Sequence, residues 1–285
     1  MQKNYTKNLS VLLLGTLFIS TSGVLGRYIA MPAEAIILCR AFLAAIFIYI
    51  FCRVQKISFK INSAKDKRSF LMGGFLMGAH WVTYFYALKL SNVALAMLSI
   101  YTYPIITVFI EPFFSKKKVD RIHILMAILV LVGVYNLIPE FSIENTYLQG
   151  ILLGILSAFF YALRNLMVKE DVKKYNGSML MFYQMVIISV LLLPTLFFSD
   201  YSNIESQLPW LLLVALLTTA IGHTLMVNSL QYFSATTASI ISSVQPIFGI
   251  IIAFIFVNEI PSSSTFIGGS LILLTVIIES VRSKK

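Results

Sequence analysis

Apolar residues come in long runs along this chain, separated by short clusters of charge, glycine and proline. Ten runs of roughly twenty residues stand out, at 9–29, 33–52, 69–89, 92–114, 121–139, 148–168, 178–198, 209–230, 234–257 and 263–281. That is the length one helix needs to cross the ~30 Å hydrocarbon layer. Lipid offers backbone N–H and C=O groups no partner, so a spanning segment is a helix or part of a closed barrel. These runs lack the alternation of barrel strands. The pattern predicts an all-α polytopic membrane protein with ten transmembrane helices.

The ninth run holds an interruption. In "SIISSVQPIFGIIIAFIFVNE", Ser239 to Glu259, the hydrogen-bonding residues Ser242, Ser243 and Gln245 precede Pro246 in an otherwise apolar stretch. Sliding the chain along itself until Leu88 meets Leu230 explains it, because "LKLSNVALAMLSIYTYPIITVFIEPFF" then falls on "LQYFSATTASIISSVQPIFGIIIAFIF". Leu88/Leu230, Ala96/Ala238, Pro104/Pro246 and Phe114/Phe256 coincide. A nearly equal shift sets "LLGTL" (13–17) on "LLGIL" (152–156). The chain therefore reads as two repeats, 1–144 and 145–285, of five spans each. Five is odd, so the second repeat enters the membrane in the opposite sense. Inverted repeats of this kind are a plan of secondary transporters, with the solute site near the midplane. Pro104 and Pro246 lack an N–H, so the carbonyls of Ile100 and Ser242 lose their helical partners at that depth. Such breaks persist where side chains, water or a ligand take up the freed groups. Thr236, Ser239, Ser243 and Pro246 share one helical face, matched in the first repeat by Met97, Tyr101 and Pro104. This face either lines a cavity or is a packing kink whose hydroxyls bond back to their own helix.

Composition agrees with the membrane reading. Charged residues make up 12% of the chain, and the mean hydropathy is +0.86. An average soluble domain carries about 25% charged residues. The formal charge of +10 could suggest a nucleic-acid partner. However, 18 of the 22 Lys and Arg residues fall in the N-terminal segment, the 53–68 loop, 116–121, 169–174 and the C-terminal tail. Those segments share one side when both termini do, and the positive-inside rule makes that side cytoplasmic. No nucleic acid is needed to explain the charge. Lys3 and Lys7 before the first run imitate a secretory leader, but no small-residue cleavage motif follows, and the repeat keeps this run as span one. Cys39 and Cys52 lie on one predicted helix. At the helical rise they stand about 20 Å apart, too far to pair. No cysteine metal site is expected.

Ten spans in two halves, a helix reading "ASIISSVQPIFGIIIAFIFVNE" that ends near a Glu, and an Arg in span two ("ILCRAFLAA", Arg40) resemble the EamA-like branch of the drug/metabolite transporter superfamily. The resemblance covers essentially the whole chain. It implies a multi-pass cell-membrane transporter that moves a small metabolite by alternating access, without a cofactor. The first repeat departs from the pattern: its corresponding helix ends in Lys116–Lys118, and Glu111 sits earlier.

Ionisable groups at membrane depth point to function by default. Arg40 lies about eight residues inside the outer end of its span, as a clamp on helix-end carbonyls or an attractor of anions. His80 and His223 sit near the middle of spans three and eight. They are able to carry protons, which fits proton coupling or solute exchange. "GAHWVTYFYAL" groups His80, Trp81 and Tyr84 as packing or as the wall of a site. Arg164 is expected to snorkel to the cytoplasm. Tyr161, Asn165 and Gln184 are lesser candidates for polar lining. Span one has no Asp or Glu, so the titratable interior is cationic and favours a carboxylate or zwitterion over a lipophilic cation. The expected cavity comprises Arg40, His80, Trp81, Tyr84, Tyr101, His223, Ser239, Ser243 and Gln245. An amino acid or organic acid, moved outward, is the expected solute. The alternatives are an intramembrane enzyme, a scaffold, a channel or a carrier of lipophilic cations. No HExxH, paired intramembrane Asp, GxSxG or Walker motif supports catalysis or ATP drive.

Overall fold

The computed structural model describes residues 2–115, 121–137, 142, 144–242 and 244–282, and among these it contains only helices. The elements are α1 (Gln2–Tyr28), α2 (Ala33–Val54), α3 (Ala64–Leu90), α4 (Val93–Ile100), α5 (Tyr103–Ser115), α6 (Arg121–Leu137), α7 (Thr146–Asp171) and α8 (Gly177–Leu192). After a 3₁₀ turn, Leu193–Phe197, come α9 (Ile204–Leu213), a π-helical segment (Val214–His223) and α10 (Thr224–Ser229). The chain continues as α11 (Ala235–Ser242), α12 (Gln245–Val257) and α13 (Ser263–Arg282).

Local sequence sets the ends. Side-chain oxygens of Ser63, Asn92, Asn145 and Asn176 accept the first free N–H groups of α3, α4, α7 and α8. Such caps each stabilise a helix by about 1 kcal/mol. Asn258 closes α12 with a positive φ, the left-handed conformation that asparagine tolerates.

Six helical stretches are long and apolar enough to cross a membrane: Tyr5–Tyr28, Ala33–Val54, Val93–Phe114, Thr146–Asp171, Gly177–Phe197 and Ile204–Ser229. Among the described residues, Ile128–Leu137, Gln245–Val257 and Ser263–Thr275 are shorter apolar helices. The long helix α3 falls outside the six although it has 27 residues. Its buried side carries Gly73, Gly74, Gly78, His80, Trp81 and Tyr84, which build the interior instead of facing lipid.

The helices pack as a bundle in which α3 lies on α7 and α8, and α1 on the π segment and α12. The helix α2 lies on α8 and the π segment, and α6 on α13. The short α4 contacts α7 and α12, while α5 contacts α7 and α11. At the α6–α13 crossing a Cβ on Gly268 would lie 2.5 Å from the Gly133 carbonyl oxygen. Glycine permits this backbone approach.

Polar contacts gather at two opposite faces. One joins the 55–63 and 172–176 connections and is rich in lysine: the Tyr175 hydroxyl donates to Asp66 (2.7 Å) and accepts from the Asn62 N–H (3.0 Å), and Lys174 pairs with Asp66 at 3.2 Å. We call this the basic face. At the opposite face Arg27 pairs with Glu259 (3.3 Å), Lys89 donates to the Ile29 carbonyl (2.8 Å), and Glu34 accepts from Tyr86 and Ser199 (both 2.8 Å).

Candidate functional site

Both interrupted apolar stretches break at mid-length. The helix α4 ends at Ile100 and α5 begins at Tyr103; α11 ends at Ser242 and α12 begins at Gln245. Pro104 and Pro246 each sit in the first turn of the new helix, where a missing N–H costs nothing. Each break leaves a helix C-terminus and a helix N-terminus deep inside the bundle, partial charges of both signs.

A cavity of about 30 Å³ lies between the breaks. It has room for water but not for an amino acid. Ile19 and Ser22 of α1, His80, Trp81 and Tyr84 of α3, and Met97 and Ile100 of α4 line one part. Tyr101, Tyr103 of α5, Tyr161 of α7, His223 and Gln245 of α12 complete it. His80 stacks on Tyr161 with ring centroids 4.5 Å apart, and Trp81 lies 5.4 Å from His223. The Ser157 hydroxyl donates to the His80 carbonyl at 2.7 Å. Its oxygen therefore accepts from His80 Nδ1, at 2.8 Å. This fixes the proton on Nδ1 and leaves Nε2 as the acceptor in the neutral ring.

Arg40 stands one side chain behind this wall. It is fully buried, its guanidinium carbon lies 3.9 Å from the Trp81 ring centre, Nε donates to Thr219 (2.6 Å) and Nη1 to Ser22 (3.0 Å). Nη2 has no hydrogen-bond partner, and neither has His223 Nδ1. Thr219 and His223 both belong to the π segment, whose wider turn shows in Thr219 Oγ1 donating five residues back to the Val214 carbonyl at 3.2 Å. Extended π geometry is rare and recurs at functional sites.

Of the residues the sequence singles out, His80, Trp81, Tyr84, Tyr101, His223 and Gln245 meet at the cavity, with Arg40 against it. Ser243 lies outside the described residues. Ser239 does not line the cavity: its carbonyl accepts from the Tyr103 hydroxyl of α5 at 3.1 Å and its own hydroxyl donates back along α11 to the Thr236 carbonyl at 2.7 Å. Thr236 on the same face bonds Glu111. Tyr103 and Ser22 were not legible as lining, since an isolated Tyr or Ser in an apolar helix carries no periodic signal.

Arg164 differs from expectation. Its side chain is fully buried and does not snorkel. Nε and Nη2 donate to Gln184 Oε1 (3.0 and 2.6 Å), Nη1 to Asn165 Oδ1 (2.9 Å), and Nη2 also to Met181 sulfur (3.1 Å). These acceptors turn the guanidinium toward α8. A second cation is thus held within the protein, a turn along α7 from Tyr161.

The sequence pattern of the EamA-like transporter family matches this chain twice, over residues 6–138 and 148–281. Among curated proteins, the chain is 23% identical over 256 residues to the pseudopaline exporter CntI of Pseudomonas aeruginosa, covering 90% of this chain and 88% of that one. It is also 23% identical over 293 residues to an S-adenosylmethionine uptake transporter of Rickettsia conorii, covering 99% and 95%. A solved crystal structure shares the fold with a TM-score of 0.76 at 14% identity over 98% of each chain. Six membrane-length apolar helices, a buried polar centre and a pattern spanning nearly the whole sequence lead to one assignment: the chain belongs to the EamA-like transporter family, a multi-pass membrane transporter of the drug/metabolite type.

Proposed function

We propose that this transporter moves a small carboxylate-bearing or zwitterionic metabolite, an amino acid or organic acid, by alternating access between two inverted five-helix halves. The halves are residues 1–144 and 145–285, with ten spans in all. The basic face is cytoplasmic, as are both termini, and the direction is export. The observation that carries the reading is Arg40. Its guanidinium is buried against the wall of the cavity, with one nitrogen unpartnered and Trp81 beneath it. That is a poised anchor for an anion. The helix N-termini of α5 and α12 at the same depth favour a carboxylate, and the C-termini of α4 and α11 suit an ammonium.

Two regularities support the inverted repeat. Exchanging spans one to five with six to ten maps the packing on itself: α3–α7 becomes the π segment on α1, α2 on the π segment becomes α8–α3, and α2–α8 and α6–α13 return to themselves. The two face contacts also correspond when Leu88 is matched with Leu230. Arg27 donates to the Leu88 carbonyl at 3.2 Å at the opposite face, and Lys169 donates to the Leu230 carbonyl at 2.6 Å at the basic face. Each face is held shut by its own set. Alternating access would widen this cavity of about 30 Å³ toward one side at a time.

Counterflow in proteoliposomes against amino acids, organic acids, sugars and quaternary amines tests the reading. A carboxylate should exchange, and Arg40→Gln should cut its flux at least about tenfold, the lower range for losing a charge-assisted hydrogen bond. Transport of a quaternary ammonium that survives Arg40→Gln, with no carboxylate flux, would sink it.

A further inference from the structure

The interior holds two buried guanidiniums and, among the described residues, no carboxylate beside either. Arg40 and Arg164 are both 0% exposed. The described acids that make contacts do so at the faces: Glu34 and Glu259 at one, Asp66 and Glu170 at the other, with Glu111 on Thr236 at the start of α11. Hydrogen bonds to Thr219, Ser22, Gln184 and Asn165 satisfy donors, yet each of those acceptors is neutral and cancels no charge. An unneutralised ion in a low-dielectric interior costs several kcal/mol, so two of them call for a counter-charge that no described residue provides there.

The two cations stand at corresponding depths. Arg40 lies seven residues from the start of α2 at one face, and Arg164 lies seven from the end of α7 at the other. At the helical rise that is about 10 Å in each case. The cavity's aromatic lining connects them: Arg40 on Trp81, Trp81 beside His223, His223 6.4 Å from Tyr161, and Tyr161 a turn from Arg164. Nη2 of Arg40 completes no hydrogen bond, and Asn165 beside Arg164 lies against the Tyr161 hydroxyl.

We infer that the solute carries two acidic groups, one met by Arg40 and the other by Arg164, on either side of the cavity's aromatic centre. This rests on the carboxylate reading of the same site and narrows it to diacids. Gln184 then acts as a placeholder. Its amide oxygen accepts two N–H groups of Arg164, and a carboxylate accepts the same pair more strongly as a charged acceptor.

Calorimetric titration of the purified, full-length protein at pH 7 with succinate, adipate and suberate, each beside its monomethyl ester, decides the matter. At least one diacid should bind about tenfold or more tighter than its ester, the lower range for one charge-assisted contact. Arg164→Gln should bring that ratio below about threefold without weakening the ester, and Arg164→Lys should retain part of it. Should every wild-type ratio stay below about threefold while the esters bind, the second anionic group is overturned and the single-carboxylate reading stands. A preference unchanged in a folded Arg164→Gln protein overturns the role of Arg164. If neither acids nor esters bind, the carboxylate reading falls, and the diacid with it.

Discussion

Glu259 ties the two family-matched segments together at the face opposite the basic one. Its Oε2 accepts the Val93 N–H at 2.7 Å, at the start of α4, and its Oε1 pairs with Arg27 at 3.3 Å. Both partners belong to the family-matched segment 6–138 and Glu259 to the segment 148–281, so parting the two at this face breaks both contacts. The bond to Val93 is charge-assisted and worth roughly 1.5–3 kcal/mol. The Arg27 side chain is 37% exposed, so water screens the ion pair. That pair adds at most about 1 kcal/mol. Glu259→Ala should therefore favour the state open at this face by about 2 kcal/mol, close to a thirtyfold shift in the equilibrium.

The shift can be read with a cysteine at Ile19, a cavity-lining position on α1, after replacing Cys39 and Cys52 by alanine. An impermeant thiol reagent applied to the Glu259 side should label Ile19→Cys about ten to thirty times faster in Glu259→Ala than in the parent. Glu259→Gln, which keeps an acceptor for Val93 but not the charge, should give a smaller rise. Glu205→Ala removes an exposed acid near the same face and should change nothing. Equal labelling rates in parent and Glu259→Ala, with both folded, would refute the idea that this contact holds the face closed.

Three further outcomes can be checked separately. At the basic face the Tyr175 hydroxyl first, then Ser63, and Lys174 against the raising effect of burial, hold the Asp66 carboxyl below its usual range. Its stabilising effect is then present above the ordinary carboxylate pKa and lost as pH falls through the lowered one. Thermal unfolding of Asp66→Asn should thus fall below wild type at pH 7 and converge with it toward pH 3, if the protein refolds there; a constant gap would remove Asp66 as the cause. The Cβ of Gly268→Ala would press on the Gly133 carbonyl. The substitution should lower stability by about 1–3 kcal/mol, the usual cost of overpacking; an unchanged melting temperature would mean that α6 and α13 part freely. A lone cysteine at Lys60 should resist impermeant reagents in intact cells and one at Asn203 should react, and labelling of both from outside would invert the orientation.

The all-helical membrane architecture was legible because bilayer thickness writes itself into run length, and the two mid-length breaks because a proline opens the helix after each. The polar centre was legible where residues are rare at membrane depth, as with Arg40, His80 and His223. Arg164 misled because distance from a helix end says nothing about which way a side chain faces. Its direction is set by Gln184 and Met181 on α8, a packing relation absent from the local sequence. The π segment was hidden for a related reason. Its residues "VALLTTAIGH" read as ordinary apolar helix, and the wider turn accompanies tertiary contacts such as Thr219 with Arg40. The hydroxyl face of α11 shows the limit of periodicity: spacing placed Thr236 and Ser239 together, but Thr236 meets Glu111 of α5 and the Ser239 hydroxyl bonds back to its own helix.

The central claim is that a carboxylate is held beside Arg40 at the cavity wall, and Trp81 reports on that place directly. The chain has two tryptophans, Trp81 at the cavity and Trp210 against Tyr28, so Trp210→Phe leaves Trp81 as the sole indole. Titrating that protein with amino acids and organic acids should change Trp81 emission saturably for at least one carboxylate, and Arg40→Gln should abolish the saturable change. Emission that stays flat for every carboxylate, or that responds equally without Arg40, would contradict it.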